Sequence, residues 1–589
     1  MSFRMLSVNL STGKVEFEDV SDLFSKYIGG TGVLSYLALK DLREDLDPVS
    51  PESPIYFGIG PFNGYYPSAS KAVAIFKSPL TGNLGESHAG GRFFMAMASA
   101  GIHVLRIVGK ASCPVYLSIK DEEVKIIPCS SLWGKTATAT ERILREIEGT
   151  KRGKESILRI GPAGERLSRI ACVTVDSSRH FGRHGLGAIM GSKNLKAIVI
   201  SGNRTLRISN WSEYQKLYKE IFDILAYSEV SLKYRDLGTA SNVIPLSNTH
   251  SLPTRNFSQG FFEGADGISG EHFADEYLVK QIACAHCPIG CIHMGQLREM
   301  FAEPHLFRTV RTSYDYEPIF ALGSNLGVSK AEEVLRLLSY VERQGWDVMS
   351  IGVTLAWATE AFQRGLINTT HTNGLVLSFG DAQTYLKVLG NISKGATEFY
   401  RDLERGLGFC VQKYGGEEFA ITFGGVESPG YMTGPAAFVG FAVGVRHSHL
   451  DCAGYSVDQE FFGKASDPYV EVEKLYKESL WRMVTNSLVT CLFARGGYTM
   501  PLVLRGLRVL GVEETEESLM RKARIIHGMK YLLKEKLGFS FDSLKLPEKL
   551  TRVYTGRGLV SHKDFDDRVK LYKDKIKEDM AFAQEELKA

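Results

Sequence analysis

Long apolar stretches are missing from the sequence. No run of about 18 apolar residues occurs, which is the length that a membrane-spanning helix needs, so we expect no membrane span. The first residues, Met1–Met5, carry neither the charged and apolar segments of a secretion signal nor a twin-arginine signal. We therefore expect a cytoplasmic protein.

Cysteine, proline and net charge are also low. Nine cysteines in 589 residues are too few and too scattered for the disulfide framework of a small secreted protein. A net charge of +3 gives no argument for binding nucleic acid or a membrane surface. The 59 glycines against 19 prolines indicate a folded chain with many tight turns, not a low-complexity one. A hydrophobic fraction of 44% is ample for large buried cores, and the length of 589 residues suggests about three or four domains.

The spacing of apolar residues changes near residue 205. Before this point, short alternating runs separated by Gly, Pro and Asn predict a β-rich domain over 1–204. After it, a helical period predicts two mainly α-helical domains, over 205–412 and 413–589. The fold class is therefore α+β. The predicted strands include 70–76, 104–108, 115–119, 123–127 and 197–200, and the predicted helices include 137–148, 211–225, 329–343, 350–364, 382–405 and 471–487.

Helix ends are predicted from capping patterns. Ser329 and Glu332 have the spacing of a capping box, in which two side chains satisfy free amides at a helix start. Gly345 is placed where a helix commonly ends in the left-handed conformation. The charged run 562–589 predicts a helix with a solvated face.

Three of the cysteines form a cluster with the spacing C-x2-C-x3-C, namely Cys284, Cys287 and Cys291. Three clustered cysteines with a distant fourth are a common ligand set for a [4Fe–4S] cluster. A structural zinc site is an alternative because His286 and His293 lie nearby, and unrelated buried thiols are another. The spacing leaves the fourth ligand open. The candidates are Cys113, Cys129, Cys172, Cys410, Cys452 and Cys491.

Two glycine-rich segments, 78–91 and 179–193, are candidates for anion binding. Glycines let backbone amides approach an anion closely, and Arg179, Arg183 and Lys193 add charge that suits phosphate. Neither segment has the Walker A pattern or the dinucleotide-binding GxGxxG pattern. The residues alone leave open a phosphate-bearing cofactor and a turn-rich β domain.

Taken in order, these motifs resemble the aldehyde:ferredoxin oxidoreductase family over essentially the whole chain. The matching elements are 78–82, Gly90-Gly91, 182–193, the C-x2-C-x3-C cluster and 342–347. The resemblance implies a β-rich N-terminal domain that forms a base for a tungsten (or molybdenum) bis-pterin cofactor. It also implies that two helical domains close over this cofactor.

The resemblance implies cluster ligands and pterin contacts as well. The cluster ligands are Cys284, Cys287, Cys291 and Cys491. Cys491 ends a segment that matches the family's D-x-x-G-L-C motif, although Asn486 replaces the Asp and Val-Thr replaces Gly-Leu. The partner D-x-x-G-L-D motif is matched by 342–347, where a carboxylate suits the N–H groups of a pterin. The residues implied to hold the cofactor are Lys71, His88, Ala89, Gly90, Gly91, Arg179, Phe181, Gly182, Arg183, Gly185, Gly345, Asp347, Asn486 and Thr490.

Two of these positions have particular implied roles. Lys71 aligns with a basic residue that bridges the cluster and the pterin. His88 and the backbone near Phe181 align with contacts to a Mg²⁺ ion between the pterin phosphates, although the family has Asn where His88 stands.

The activity implied by the resemblance is oxidation of an aldehyde to a carboxylic acid. Electrons would leave through the cluster to ferredoxin or a ferredoxin-like iron–sulfur subunit. Proton handling falls to Glu317 and His449, with His447 as the alternative because the spacing before His449 is one residue short. Tyr431 is a candidate hydrogen-bond donor to the substrate oxygen.

Two other functions remain open on the sequence. One is a catalytic subunit of a larger complex that reduces a carboxylate or an aromatic thioester. The other is a non-catalytic module that is stapled by zinc or transfers electrons. The sequence does not choose tungsten over molybdenum, and it is compatible with a homo-oligomer or a hetero-oligomer.

Overall fold

The computed structural model describes residues 2–149, 155–302 and 306–588. Its N-terminal part contains two six-stranded sheets, in which neighbouring strands are antiparallel except for the parallel pairs β1–β6 and β7–β12. The first sheet has the order β2-β1-β6-β3-β4-β5 and contains β1 (Arg4–Asn9), β2 (Val15–Asp19), β3 (Ile55–Gly58), β4 (Ala72–Lys77), β5 (Leu84–Ala89) and β6 (Val104–Val108). The second has the order β11-β10-β9-β12-β7-β8 and contains β7 (Val115–Lys120), β8 (Glu123–Pro128), β9 (Glu155–Arg159), β10 (Val173–Val175), β11 (Arg179–Phe181) and β12 (Leu195–Ser201).

Strand β4 joins the two main cores of the molecule. All six of its residues are buried, and the five apolar ones, Ala72 to Phe76, alternate between the two hydrophobic cores. Ala74 and Phe76 pack in the core shared by the two sheets, whereas Val73 and Ile75 pack in the core shared with the helices. A strand that is covered on both faces reads as a continuous apolar run, and this is the sequence AVAIFK.

Six α-helices accompany the sheets in the described part of this region. They are α1 (Ser21–Tyr27), α2 (Gly30–Asp41), α3 (Phe93–Ala100), α4 (Ala137–Ile147), α5 (Pro162–Glu165) and α6 (Leu186–Ser192).

From residue 211 onward the chain is mainly helical. The helices are α7 (Trp211–Tyr227), α8 (Glu229–Asp236), α9 (Val243–Asn248), α10 (Gly270–Glu276), α11 (Tyr316–Leu322), α12 (Ala331–Gln344), α13 (Val348–Gln363), α14 (Ala382–Lys394), α15 (Glu398–Leu403), α16 (Leu407–Tyr414), α17 (Pro435–Val443), α18 (Gly454–Glu460), α19 (Pro468–Leu488), α20 (Met500–Val509), α21 (Glu516–Lys536) and α22 (His562–Glu586). Two antiparallel sheets interrupt them, the three-stranded β13 (Leu278–Ile282), β14 (Ile292–Ala302) and β15 (Leu306–Tyr314), and the pair β16 (Thr422–Phe423) and β17 (Val426–Glu427). This arrangement confirms the predicted α+β class. No helix in the described ranges is both long and apolar enough to span a membrane.

Two details of the helix predictions are corrected. The capping box at Ser329 is wrong, because α12 begins at Ala331 and Lys330 at its N-cap makes no side-chain cap bond. Ser329 instead packs closely against the backbone of Gly264 and Gly267, which holds it outside the helix. The helix predicted over 382–405 is divided at Gly395, whose φ of +59° ends α14.

The second predicted boundary, at residue 412, falls inside α16. The charged C-terminal run does form a helix, α22. One face of α22 is buried through Phe565, Tyr572, Ile576 and Ala583, and the face opposite is exposed.

Candidate functional site

A cavity of about 370 Å³ lies between the sheets and the helical part of the chain. Its wall combines Lys71 and Gly90 from the sheet region with Glu317 and His449 from the helical region. A second cavity of about 40 Å³ adjoins it at Cys491. Residues from distant parts of the sequence meet at this cavity, so it is the candidate functional site.

The hairpin of β4 and β5 brings Lys71 and Gly90 to one end of a sheet. Its register pairs Ala72 with Ala89, so that Lys71 comes directly before the paired region and Gly90 directly after it. A Cβ on Gly90 would lie 2.7 Å from the Sγ of Cys284, which shows how closely the hairpin approaches the cysteine segment.

The three clustered cysteines lie in the loop that connects β13 to β14. This loop is fixed to the hairpin by a hydrogen bond from the Ala285 amide to the Gly91 carbonyl at 3.0 Å. Within the loop, the Cys287 amide donates to the Cys284 carbonyl at 3.2 Å. The turn therefore presents its thiols toward the end of the β4–β5 hairpin.

Ser68 joins this loop to the segment that carries Cys491. Its amide donates to the carbonyl of His286, its carbonyl accepts from the amide of Cys491, and both distances are 2.9 Å. Its hydroxyl donates to the Sγ of Cys287 at 3.2 Å. One residue of the N-terminal region thus holds together two cysteine segments that are 200 residues apart.

Burial and mutual repulsion disfavour charge on the thiols in the protein alone. Burial raises the pKa of Cys287 to about 11, and Cys491 adds to the increase. Burial also raises the pKa of Cys284 and of Cys291, and the neighbouring thiols, Cys491 included, raise both further. A bound cation reverses this balance, since a coordinating thiol is deprotonated by the metal charge. Among the described residues, no three His, Cys, Asp or Glu side chains are arranged to hold a single metal ion.

Glu317 and His449 form a buried pair in the cavity wall. Glu317 lies in the first turn of α11, and its Oε1 is 3.2 Å from the Nδ1 of His449. The two atoms are not aligned as a hydrogen bond, so each lacks a hydrogen-bond partner within the described part of the chain. The Oε2 of Glu317 accepts from the Gly430 amide at 3.3 Å. Two polar atoms are therefore left to face a ligand.

The environments of this pair push the two pKa values apart. Burial raises the pKa of Glu317 to about 8, although Arg183 opposes the shift. Burial, helped by Arg482 and Arg183, lowers the pKa of His449 to about 3. At neutral pH the carboxyl is therefore protonated and the imidazole is neutral. The ring of Tyr431 packs on His449, with centroids 4.8 Å apart.

His447 is used elsewhere in the fold. Its Nδ1 donates to the Phe441 carbonyl at 3.0 Å, which leaves Nε2 to accept from the Lys534 ammonium at 2.8 Å. Of the two histidines that the sequence offers, His449 is the one in the cavity wall.

Arg183 has unused donors at the cavity. One Nη donates to the Glu427 carbonyl, and Nε lies 3.7 Å from the carboxylate of Asp347. Nε and the other Nη have no hydrogen-bond partner among the residues described. Asp347 in turn caps α13 by accepting from the Ser350 amide at 3.2 Å. Gly345 ends α12 in the left-handed conformation, as predicted, and so starts the turn that places Asp347.

Asn486 and Thr490 line the smaller cavity. Asn486 is in the last turn of α19, and its Nδ2 is buried without a hydrogen-bond partner in the described chain. The hydroxyl of Thr490 donates back to the Thr485 carbonyl at 3.3 Å.

His88 lies in both cavity walls and is fixed from behind. Its Nε2 donates to Oε1 of Glu86 at 2.7 Å, and the second Glu86 oxygen is 2.5 Å from the Lys530 ammonium. Burial, reinforced by Arg446, lowers the pKa of His88 to about 4, so the ring is neutral. The second ring nitrogen, Nδ1, therefore carries a lone pair.

The remaining predicted contacts divide into two groups. Arg179 and Gly182 are in the cavity wall. Five others lie outside both cavity walls, namely Ala89, Gly91, Phe181, Gly185 and Gly345. Phe181, for example, packs in the core between the sheets against Phe57, with centroids 5.3 Å apart.

Several wall residues were not predicted. Arg446 belongs to the same short run as His449, and this adjacency was a usable signal. Tyr234, Tyr455 and Phe493 also line the cavity but come from three separate segments. No local pattern in the sequence connects them.

The wall fits the bis-pterin cofactor that the motifs imply. Cationic side chains and the unpartnered N–H groups of Arg183 and Asn486 suit phosphate and ring oxygens. The carboxylate of Asp347 suits the N–H donors of a pterin. Gly90 and Gly182 add backbone without side chains at the wall. The thiols of Cys284, Cys291 and Cys491 line the cavity together with Lys71, and with Cys287 they have the chemistry that an iron–sulfur cluster requires of its ligands.

Comparisons with known proteins agree with this geometry. The family model for the aldehyde ferredoxin oxidoreductase N-terminal domain matches residues 5–202, and the model for domains 2 and 3 matches residues 216–575. The chain is 35% identical over 439 residues to the tungsten-containing aldehyde ferredoxin oxidoreductase of Pyrococcus horikoshii, covering 73% of this chain and 70% of the relative. It is 32% identical over 510 residues to that of Pyrococcus furiosus, covering 84% and 82%.

A solved structure shares the fold. It is the active site complex BamBC of benzoyl coenzyme A reductase with 1,5-dienoyl-CoA, and it superposes with a TM-score of 0.78. The superposition covers 98% of this chain and 99% of that chain at 19% identity, which shows the fold alone. Together the family models span nearly the whole sequence. The chain therefore belongs to the aldehyde ferredoxin oxidoreductase family of tungsten-containing oxidoreductases.

Proposed function

We propose that this protein oxidises an aldehyde to a carboxylic acid and passes the electrons through one [4Fe–4S] cluster to ferredoxin or an iron–sulfur partner subunit. The observation that carries this proposal is the buried Glu317–His449 pair, whose facing atoms are 3.2 Å apart and free to meet a substrate. The names of the relatives at 32–35% identity support the aldehyde reaction.

We infer the residues that would hold the cofactors from those that line the cavity. Cys284, Cys287, Cys291 and Cys491 would hold the cluster. The pterin groups would be held by Lys71, Arg179, Arg183, Asp347 and Asn486, and His88 would lie beside a Mg²⁺ ion at the phosphates. When bound, the tungsten-pterin group supplies the two-electron redox chemistry.

Glu317 and His449 divide the proton handling between them. The proton of neutral Glu317 sits on Oε1, because Oε2 accepts from Gly430, and from Oε1 it can hydrogen-bond to the carbonyl oxygen of the aldehyde. This polarises the carbonyl carbon for attack. Neutral His449, with its pKa lowered to about 3, offers a lone pair that accepts a hydrogen bond from the water whose oxygen is incorporated; it orients that water, and the proton released passes on to solvent. The Tyr431 hydroxyl would be a second donor to the substrate oxygen.

A dye-coupled assay on anaerobically purified protein tests the proposal. We expect aldehyde-dependent reduction of a viologen dye, and we expect Glu317→Ala to remove it without changing the iron content. Absence of any aldehyde oxidation by protein that carries its metals would sink the proposal.

A second candidate is reduction of an aromatic thioester within a larger complex. The observation that favours it is the fold shared with the benzoyl coenzyme A reductase complex. Purification from the source organism discriminates the two. Reduction predicts that additional iron–sulfur subunits co-purify and that simple aldehydes are not oxidised.

A further inference from the structure

One side of the large cavity, beside the Glu317–His449 pair, is lined with aromatic rings. Tyr431 is central. Its ring centroid lies 5.0 Å from that of Tyr316 and 5.0 Å from that of Tyr455, with which it stacks at 22°. All three line the cavity.

The rings continue beyond Tyr455. Tyr234 and Phe493, also in the cavity wall, pack on each other with centroids 4.4 Å apart. Tyr234 lies close enough to the other rings for Tyr455 to raise the pKa of Tyr234, and for Tyr234 to raise the pKa of Tyr431. We call the five residues Tyr234, Tyr316, Tyr431, Tyr455 and Phe493 the aromatic wall.

The aromatic wall is the edge of the hydrophobic core that borders the cavity, because Tyr316 and Tyr431 belong to that core and Tyr455 packs against it. Its members come from α8, α11, the loop after β17, α18 and the segment after Cys491. Tyr234, Tyr455 and Phe493 are partly exposed and line the cavity. None carries a charge, whereas Lys71, Arg179 and Arg183 supply positive charge to the same cavity.

One turn aligns the aromatic wall with the acid. The Gly430 amide donates to Glu317, and the Gly430 carbonyl accepts from the hydroxyl of Tyr316. Tyr431 follows directly. A Cβ on Gly430 would lie 2.5 Å from the ring of Phe320, so this turn packs tightly. The distance between the rings and the carboxyl is therefore fixed.

We propose that the aromatic wall binds the substrate and selects aldehydes whose carbonyl group is attached to an aromatic ring. A planar ring stacks on the partly exposed Tyr455, which is backed by Tyr431, while its carbonyl oxygen reaches Oε1 of Glu317. A short aliphatic aldehyde leaves the wall uncovered. The oxidation of aryl aldehydes rests on the proposed function, whereas the binding of an aromatic ring to the wall does not.

Kinetics with three aldehydes test the inference. We compare kcat/KM for benzaldehyde, cyclohexanecarbaldehyde (equal in size but not flat) and acetaldehyde in the wild type and in Tyr455→Leu. One stacked pair is worth about a fivefold preference. We expect Tyr455→Leu to lower the ratio of benzaldehyde to cyclohexanecarbaldehyde by about that factor, while acetaldehyde changes little.

Two further variants separate stacking from folding. Tyr234→Leu changes a different ring of the aromatic wall and is expected to lower the same ratio. Tyr554→Leu is the matched control, because Tyr554 is 66% exposed and lies outside both cavity walls. The thermal unfolding midpoint and iron content of each variant report whether it is folded and loaded.

A binding measurement works without turnover. Calorimetric titration with benzoate, cyclohexanecarboxylate and acetate is expected to give the tightest binding for benzoate, weakened in Tyr455→Leu. If aldehydes are oxidised with no aryl preference, and Tyr455→Leu leaves the ratio unchanged, the inference is overturned and the proposed function stands. If no aldehyde is oxidised but benzoate still binds in a Tyr455-dependent way, the wall stands and the reaction is wrong.

Discussion

Adding a single methyl group at Gly90, as in Gly90→Ala, is expected to weaken the binding of the iron–sulfur cluster. An added Cβ would lie 2.7 Å from Sγ of Cys284, whereas non-bonded atoms of this kind sit at about 3.5–4.0 Å. The sulfur would have to move by about 1 Å. The loop cannot simply retreat, because Ala285 is hydrogen-bonded to Gly91 at 3.0 Å. Such overpacking costs about 1–3 kcal/mol.

If Gly90→Ala puts this cost on the ligand set, the cluster is held about 5- to 150-fold more weakly. The assay is iron per chain during timed exposure to an iron chelator, followed by the loss of cluster absorbance. Gly496→Ala is the control, because Gly496 lies near Cys491, has open space around its Cβ position and has no left-handed backbone. Equal iron retention in Gly90→Ala and Gly496→Ala would refute the reasoning.

Three further predictions concern the proton, the cluster and the pterin. Because the pKa of Glu317 is raised to about 8, its proton is present below that pH and lost above it, so kcat/KM should be level to about pH 8 and then fall. In Glu317→Gln kcat should drop about 10²–10⁴-fold and the fall in kcat/KM above pH 8 should vanish. A fall that persists in this variant would contradict the role of Glu317 as the proton donor. Ser68→Ala removes the hydroxyl that donates to Cys287 at 3.2 Å. Since such bonds favour the reduced cluster, its midpoint potential should fall by about 20–60 mV in an EPR-monitored titration, and an unchanged potential would contradict a role for this bond. Arg183→Lys keeps the charge but not the Nε–H and Nη–H groups of Arg183 that have no partner in the described part of the chain. The tungsten content should therefore decrease while the iron content stays constant. An equal loss of both metals would count against a contact between Arg183 and the pterin cofactor.

The sequence predicted those parts of the site that depend on local spacing. The C-x2-C-x3-C cluster occupies one loop, and Gly345 ends its helix in the left-handed conformation. The buried run of β4 was recognisable because both of its faces are covered by apolar side chains. These features require only neighbours within a few residues along the chain.

Features that depend on tertiary contacts could not be derived in this way. Cys491 reaches the cluster loop through the backbone of Ser68, and nothing in its own surroundings distinguishes it from the other five candidate cysteines. The resemblance, not the spacing, identified it. Tyr431 was predicted from the resemblance, whereas Tyr234, Tyr455 and Phe493 of the aromatic wall were missed because they come from three separate segments. The capping box at Ser329 failed because contact with Gly264 overrides a favourable local pattern.

The most direct test of the account is elemental analysis of the anaerobically purified protein for tungsten, molybdenum, iron and zinc. The account predicts about four iron atoms and about one tungsten (or molybdenum) atom per chain. Zinc without iron, tungsten or molybdenum would contradict it, since the four cysteines would then be a structural staple and the cavity would hold no redox cofactor.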